Sequence, residues 1–153
     1  MKTISWLASV TVGIALTATA FAAPTEGWLT DLDKALVKAK AEKKPIFIEF
    51  TGSDWCPVCV VMHKNVFSKK EFIVAASKKY VLVEIDFPKG DKALSEKHEP
   101  LAEKYKLNGA PFPMAVLLTP EGKEFTRFLS GDYPTIELFL KHLDEALKKV
   151  DLD

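Results

Sequence analysis

Two cysteines stand in the run Trp55-Cys56-Pro57-Val58-Cys59, and they are the only thiols in the 153-residue chain. A disulfide between residues so close in sequence closes a tiny loop and cross-links almost nothing, so it adds little to stability. The spacing is better explained by redox chemistry. A helix that begins near Cys56, with Pro57 in its first turn, aims unpaired backbone amides and its positive end at the Cys56 sulfur. That environment favours thiolate over thiol. Because the thiolate is the nucleophile in disulfide exchange, Cys56 is expected to attack, and Cys59, one turn deeper, to resolve the mixed disulfide. Pro57 keeps the helix start rigid, and Trp55 offers an apolar plate beside the sulfur.

A CxxC pair can also hold a metal ion, but a structural zinc site needs four ligands. The rest of the chain supplies only His63, His98 and His142, with no second cysteine pair. Cys56, Cys59, Met62 and His63 share one helical stripe and together suit a soft ion such as Cu(I). The simpler reading of His63 is a helix histidine packed or solvated near the thiols, so no metal and no cofactor is expected.

The elements that would position the pair alternate in period. Trp28, Leu32, Ala35, Leu36 and Ala39 recur at helical spacing, with Thr30 as candidate N-cap and lysines closing the helix before Pro45. Ile46 to Phe50 reads as a short apolar strand, and Thr51 to Asp54 as a loop. The cysteine helix should run to about Asn65, and Ser68 with Glu71 signals a capping box for a helix reaching Lys79. Tyr80 to Phe87 is a nearly continuous apolar run, which predicts a central strand covered on both faces. A charged connection from Pro88 to Lys97 should lead to a helix over Leu101 to Lys106 that Pro100 begins or kinks. Met114 to Leu118 and Glu124 to Leu129 read as strands joined by the Thr119-Pro120-Glu121-Gly122 turn, and Ile136 to Val150 as an amphipathic closing helix. A βαβ unit followed by ββα predicts an α/β fold, a mixed central sheet of about four to five strands flanked by helices.

The first residues are expected to lie outside that fold. Lys2 supplies a short positive start, an uncharged stretch from Thr3 to Ala23 follows, and Ala20-Phe21-Ala22 has the small-x-small pattern of a signal-peptide cleavage site. Residues 1–22 therefore read as an export signal and 23–153 as one compact domain, placed in the periplasm or otherwise exported. No cysteine follows the apolar run to take a lipid. Removing Lys2 from 21 basic and 21 acidic residues leaves one excess negative charge, and the charges are interspersed. That argues against nucleic acid or an anionic membrane surface as partner.

Taken together, Phe50-Thr51-Gly52-Ser53-Asp54-Trp55-Cys56-Pro57-Val58-Cys59 resembles the run found in exported bacterial members of the thioredoxin-like superfamily, and the likeness extends over about Trp28 to Lys149. The resemblance implies a thioredoxin fold. It also implies a cis-proline facing the CxxC pair, preceded by backbone that pairs with substrate like an added strand. Pro111 and Pro113 are both candidates. Gly109-Ala110-Pro111 has the usual Gly-x-Pro spacing, while Pro113 directly precedes a strand and is preferred, with Phe112 and Trp55 then facing the substrate. A buried acid beneath the disulfide is a further implied feature, and Glu49 is the nearest match. It is Glu where Asp is usual and one residue farther from Cys56, and an exposed Glu at a strand edge is the equal alternative. Val60 stands where thioredoxin has a basic residue.

The resemblance implies a thiol-disulfide oxidoreductase acting on protein dithiols or disulfides as a monomer. Potentials in such folds span on the order of 150 mV, about 7 kcal/mol for two electrons. Pro57-Val58 does not match the strongest oxidants, so a reductase or isomerase fed by a membrane-bound thiol reductant is favoured. The rival class is a redox-linked binding module, or an accessory to soft-metal or haem maturation, with little turnover.

Overall fold

The computed structural model describes residues 25–150. The proposed signal at 1–22 and its cleavage point lie outside the described residues. Four strands form one mixed sheet: β1 (Ile46–Thr51), β2 (Val81–Asp86), β3 (Met114–Leu118) and β4 (Glu124–Leu129), in the order β2-β1-β3-β4. β1 and β2 run parallel, joined through α2 (Pro57–Met62), a π-helical stretch over His63–Phe67, and α3 (Lys70–Ser77). The other pairings, β1 with β3 and β3 with β4, are antiparallel. Helices α1 (Leu32–Glu42), α4 (Lys92–Lys104) and α5 (Ile136–Leu147) complete the domain. This is a thioredoxin fold.

Strand alternation sorts the core into two layers. Ile46, Ile48 and Phe50 point with Val83, Ile85, Val116 and Leu118 toward Leu32, Ala35 and Ala39 of α1 and Ala102 of α4. Phe47, Leu82, Ala115 and Leu117 point the other way, into an aromatic cluster with Phe67, Phe72 and Phe139. Trp28 joins that second layer and donates its indole N–H to the Phe67 carbonyl at 3.1 Å. Glu49 lies on the same face, two residues beyond Phe47.

Several local expectations need correction. α1 is capped by Asp31, whose carboxylate accepts from the Lys34 amide, and not by Thr30. Ser68 and Glu71 form no capping box, since α3 starts after Lys69 with no side-chain cap. β2 is not central: apart from β1, its only pairing among the described residues is an isolated bridge between Leu29 and Val83. Its apolar run reflects helices over both faces, which cover an outer strand as well as an inner one. α4 begins nine residues earlier than expected, capped by Asp91 onto the Leu94 amide. Pro100 sits inside it on an exposed position, where the hydrogen bond it cannot donate faces water.

Candidate active site

The end of β1 delivers the chain into a turn in which the amides of Trp55 and Cys56 both donate to the Gly52 carbonyl. Cys56 is the N-cap of α2, with Pro57 as its first residue. The two sulfurs are bonded to each other, with Cα atoms 5.2 Å apart, and the Cys59 amide donates to Cys56 Sγ at 3.2 Å. That bond is the local source of thiolate stabilisation once the disulfide opens, because it is strengthened when the sulfur carries charge. Cys56 is 6% exposed and Cys59 2%. Both helix geometry and burial therefore place Cys59 on the inner side.

The loop before Cys56 is latched to the loop after β2. Asp54 accepts from the amides of Lys89 (2.9 Å) and Gly90 (2.6 Å), and these bonds hold its carboxyl below the usual carboxylate range. Asp86 accepts from Ser53, and Trp55 donates its indole N–H to the Phe87 carbonyl at 2.6 Å. The Trp55 ring then meets Phe112 with centroids 5.5 Å apart, and Lys89 Nζ lies 5.5 Å from the indole centroid. Gly52 makes this seat possible, since a Cβ there would overlap the indole. None of these latches was legible in the sequence, because each joins residues more than thirty positions apart.

The Phe112–Pro113 peptide is cis, Pro113 is buried and Pro111 is exposed. Phe112 and Pro113 form one wall of a groove of about 260 Å³ with Val58, Leu129, Gly131 and Asp132. Val58 is exposed on α2, and Val60 and Val61 beside it are also exposed. The groove beside the disulfide is thus walled largely by apolar side chains, with Asp132 at one side.

Beneath α2 the character changes. Glu49 is 1% exposed, which removes the edge-strand alternative, for β1 is an interior strand. Its Oε2 accepts from Ser130 Oγ at 2.6 Å, and its Oε1 has no hydrogen-bond partner. Burial holds the Glu49 carboxyl well above the usual carboxylate range; the Ser130 bond pulls it down, and neighbouring Glu84 pushes it up. Ser130 and Glu84 were both missed. For Glu84 a signal existed: Ile-Phe-Ile-Glu49 and Val-Leu-Val-Glu84 each break an apolar run at the fourth strand position, and parallel pairing sets them opposite. For Ser130 there was none. Of the soft-metal set, Met62 is turned into the core at 1% exposure, and His63 faces Glu84 with Nδ1 3.6 Å from Oε2. Glu84 raises the His63 pKa above the ordinary imidazole value.

Among known proteins, the family described as thioredoxin-like matches residues 27–120. The disulfide bond reductase DsbH of Chlamydia pneumoniae is 37% identical over 97 residues, covering 61% of this chain and 57% of that protein. The thiol:disulfide interchange protein DsbD 2 of Pseudomonas aeruginosa is 32% identical over 121 residues, covering 75% of this chain and 19% of that protein. The chain therefore spans less than two thirds of these relatives. A solved structure described as DsbH oxidoreductase superposes with a TM-score of 0.69 at 31% identity, covering 79% of this chain and 83% of the other.

Proposed function

The chain belongs to the thioredoxin-like family, and from that premise we propose that it is an exported thiol-disulfide oxidoreductase that reduces or isomerises disulfides of protein clients. The observation that carries this reading is the Cys56–Cys59 disulfide at the start of α2, beside a groove walled by Val58, Phe112 and Pro113. Residues 1–22 act as a cleaved export signal, and 23–153 work as a monomer in the periplasm. Cys56 is the attacking residue and Cys59 the resolving residue.

A client cysteine approaches along Trp55, Phe112 and Pro113, where backbone next to Pro113 pairs with an extended client segment and Phe112 fills an apolar contact. Trp55 and Pro57 hold the first sulfur in place, and Glu49 exchanges protons with Cys59. After one turnover as reductase the pair is oxidised and needs new electrons. A membrane-bound thiol reductant is the fitting source, and the similarity to a disulfide bond reductase and to a thiol:disulfide interchange protein supports the thiol-disulfide chemistry itself.

Insulin reduction with dithiothreitol tests the activity. The parent should accelerate precipitation of the insulin B chain, and a parent that does not would instead leave a binding module. Cys59→Ser should abolish turnover and accumulate mixed disulfides with clients in a periplasmic extract, while Cys56→Ser should trap none. Adducts on Cys56→Ser and none on Cys59→Ser would reverse the two roles.

A further inference from the structure

The row of polar groups beneath α2 extends beyond Glu49. Glu84 stands opposite Glu49 in the parallel register of β1 and β2, so both side chains leave the same face of strands about 4.8 Å apart. Glu84 is 18% exposed, and the His63 side chain that meets it is 47% exposed. On this face Met62 of α2 packs with Phe47 and Leu82, the strand neighbours of Glu49 and Glu84, and Cys59 is the other buried residue of that helix. Both ends of the row are tied to that helix. His63 follows α2 directly, and Gly131, next to Ser130, lies so near Val58 that a Cβ on it would come within 2.9 Å of the valine. Glu49 itself cannot exchange a proton with water, being sealed on all sides. Glu84 reaches solvent in part, and His63, at 47% exposure, is the more open of the two.

We propose that Glu84 and His63 are the outer half of a proton path that connects Glu49, under the disulfide, with water. The proposal rests on Cys59 being the resolving residue. In that step the Cys59 thiol loses its proton, its sulfur bonds to Cys56 Sγ, and the mixed disulfide breaks with the electron pair leaving on the client sulfur. The Cys59 proton goes to Glu49, the proton held by Glu49 goes to Glu84, and Glu84 passes it to His63 Nδ1. His63 gives up a proton from its other nitrogen to water. Two electrons pass from the cysteine pair to the client, and nothing besides the client disulfide is consumed. The groups that act on the path are few. Among the described residues, Glu84 is the charged group that bears on Glu49, and Glu84 and Asp86 of β2 bear on His63. Burial holds the Glu49 carboxyl well above its usual range, and Glu84 makes His63 more basic, so both ends of the row hold a proton more readily than the free side chains do.

The test uses the reduced protein and one equivalent of an aromatic disulfide whose thiol product absorbs visibly. Attack by Cys56 releases the first coloured thiol, and resolution by Cys59 releases the second. In Glu84→Gln and His63→Ala the first release should stay within about twofold of the parent, while the second slows at least about tenfold. Imidazole buffer should restore the second release in His63→Ala and leave Glu84→Gln slow. Second release within about twofold of the parent in both variants, faster release in Glu84→Gln as mere relief of repulsion would give, or no imidazole rescue each overturns the path. A parent that gives no second release at all overturns the resolving role of Cys59, and the path with it.

Discussion

The two sides of the Cys56–Cys59 disulfide are made of opposite materials. Toward solvent lie Trp55, Val58, Phe112 and Pro113, an apolar collar with Asp132 as its one charged member along the groove. Toward the sheet lie Glu49, Ser130, Glu84 and His63, a polar row under a helix. The outer side offers a client segment apolar side chains to pack against, with backbone beside Pro113 left to pair with it. The inner side can handle the proton of a buried thiol, because burial holds the Glu49 carboxyl well above the usual carboxylate range. Each side would do the other's work badly.

Substitutions that mix the two characters, or loosen one side alone, test the division. Gly52→Ala should have the largest effect, since its methyl group and the Trp55 indole claim the same space. Overpacking of this kind costs about 3 kcal/mol unless the indole leaves its seat. A lower denaturant midpoint together with altered tryptophan fluorescence is the expected result. An unchanged midpoint and spectrum would show that the collar does not depend on that seat.

The inner side should reveal itself through pH. Glu49 has a folded-state pKa raised above its ordinary 4.5. Above that ordinary value the unfolded chain releases a proton that the folded chain keeps, so folded stability attributable to Glu49 falls as pH rises, until the folded carboxyl ionises too. Glu49→Gln removes this slope. Relative to the parent, the variant should gain stability between pH 5 and pH 8, read from urea midpoints at the two values. Parallel midpoints would mean that Glu49 titrates as an ordinary carboxyl.

The smallest effect is expected at Lys89, whose ammonium lies over the exposed edge of the collar at 5.5 Å from the indole centroid. Lys89→Ala should cost about 0.5 kcal/mol and leave client reduction nearly unaltered, because the latch from Asp54 uses the Lys89 backbone amide rather than its side chain. A large loss of insulin reduction would instead make the charge itself part of client binding.

Much of the architecture was readable from local pattern. The order of strands and helices follows from period-2 and period-3.6 runs, and β3 and β4 lie where their apolar residues and the intervening turn put them. The chemistry of Cys56 and Cys59 was readable for the same reason: three residues of separation at a strand-to-helix junction is local information. Misreadings arose where a local signal had a global cause. Pro100 read as beginning or kinking a helix, yet it sits inside α4 at an exposed position, where the hydrogen bond it cannot make faces solvent. The apolar run of β2 looked central, although it is helices on both faces, with Leu29 along the edge, that bury it.

What the sequence by itself determined is the reactive pair, the α/β order and the residues apolar enough to form two layers, since each rests on neighbours a few positions apart. Only tertiary structure decided what surrounds the pair. Glu49 could have faced water or the disulfide until β3 paired along its other side and Ser130, eighty-one residues away, closed over it. The same holds for Glu84 beside it and for the loop that carries Pro113 opposite Val58. Their proximity depends on strand register and helix docking, which pattern along the chain leaves open because contacts of long sequence separation are set by how the elements pack together.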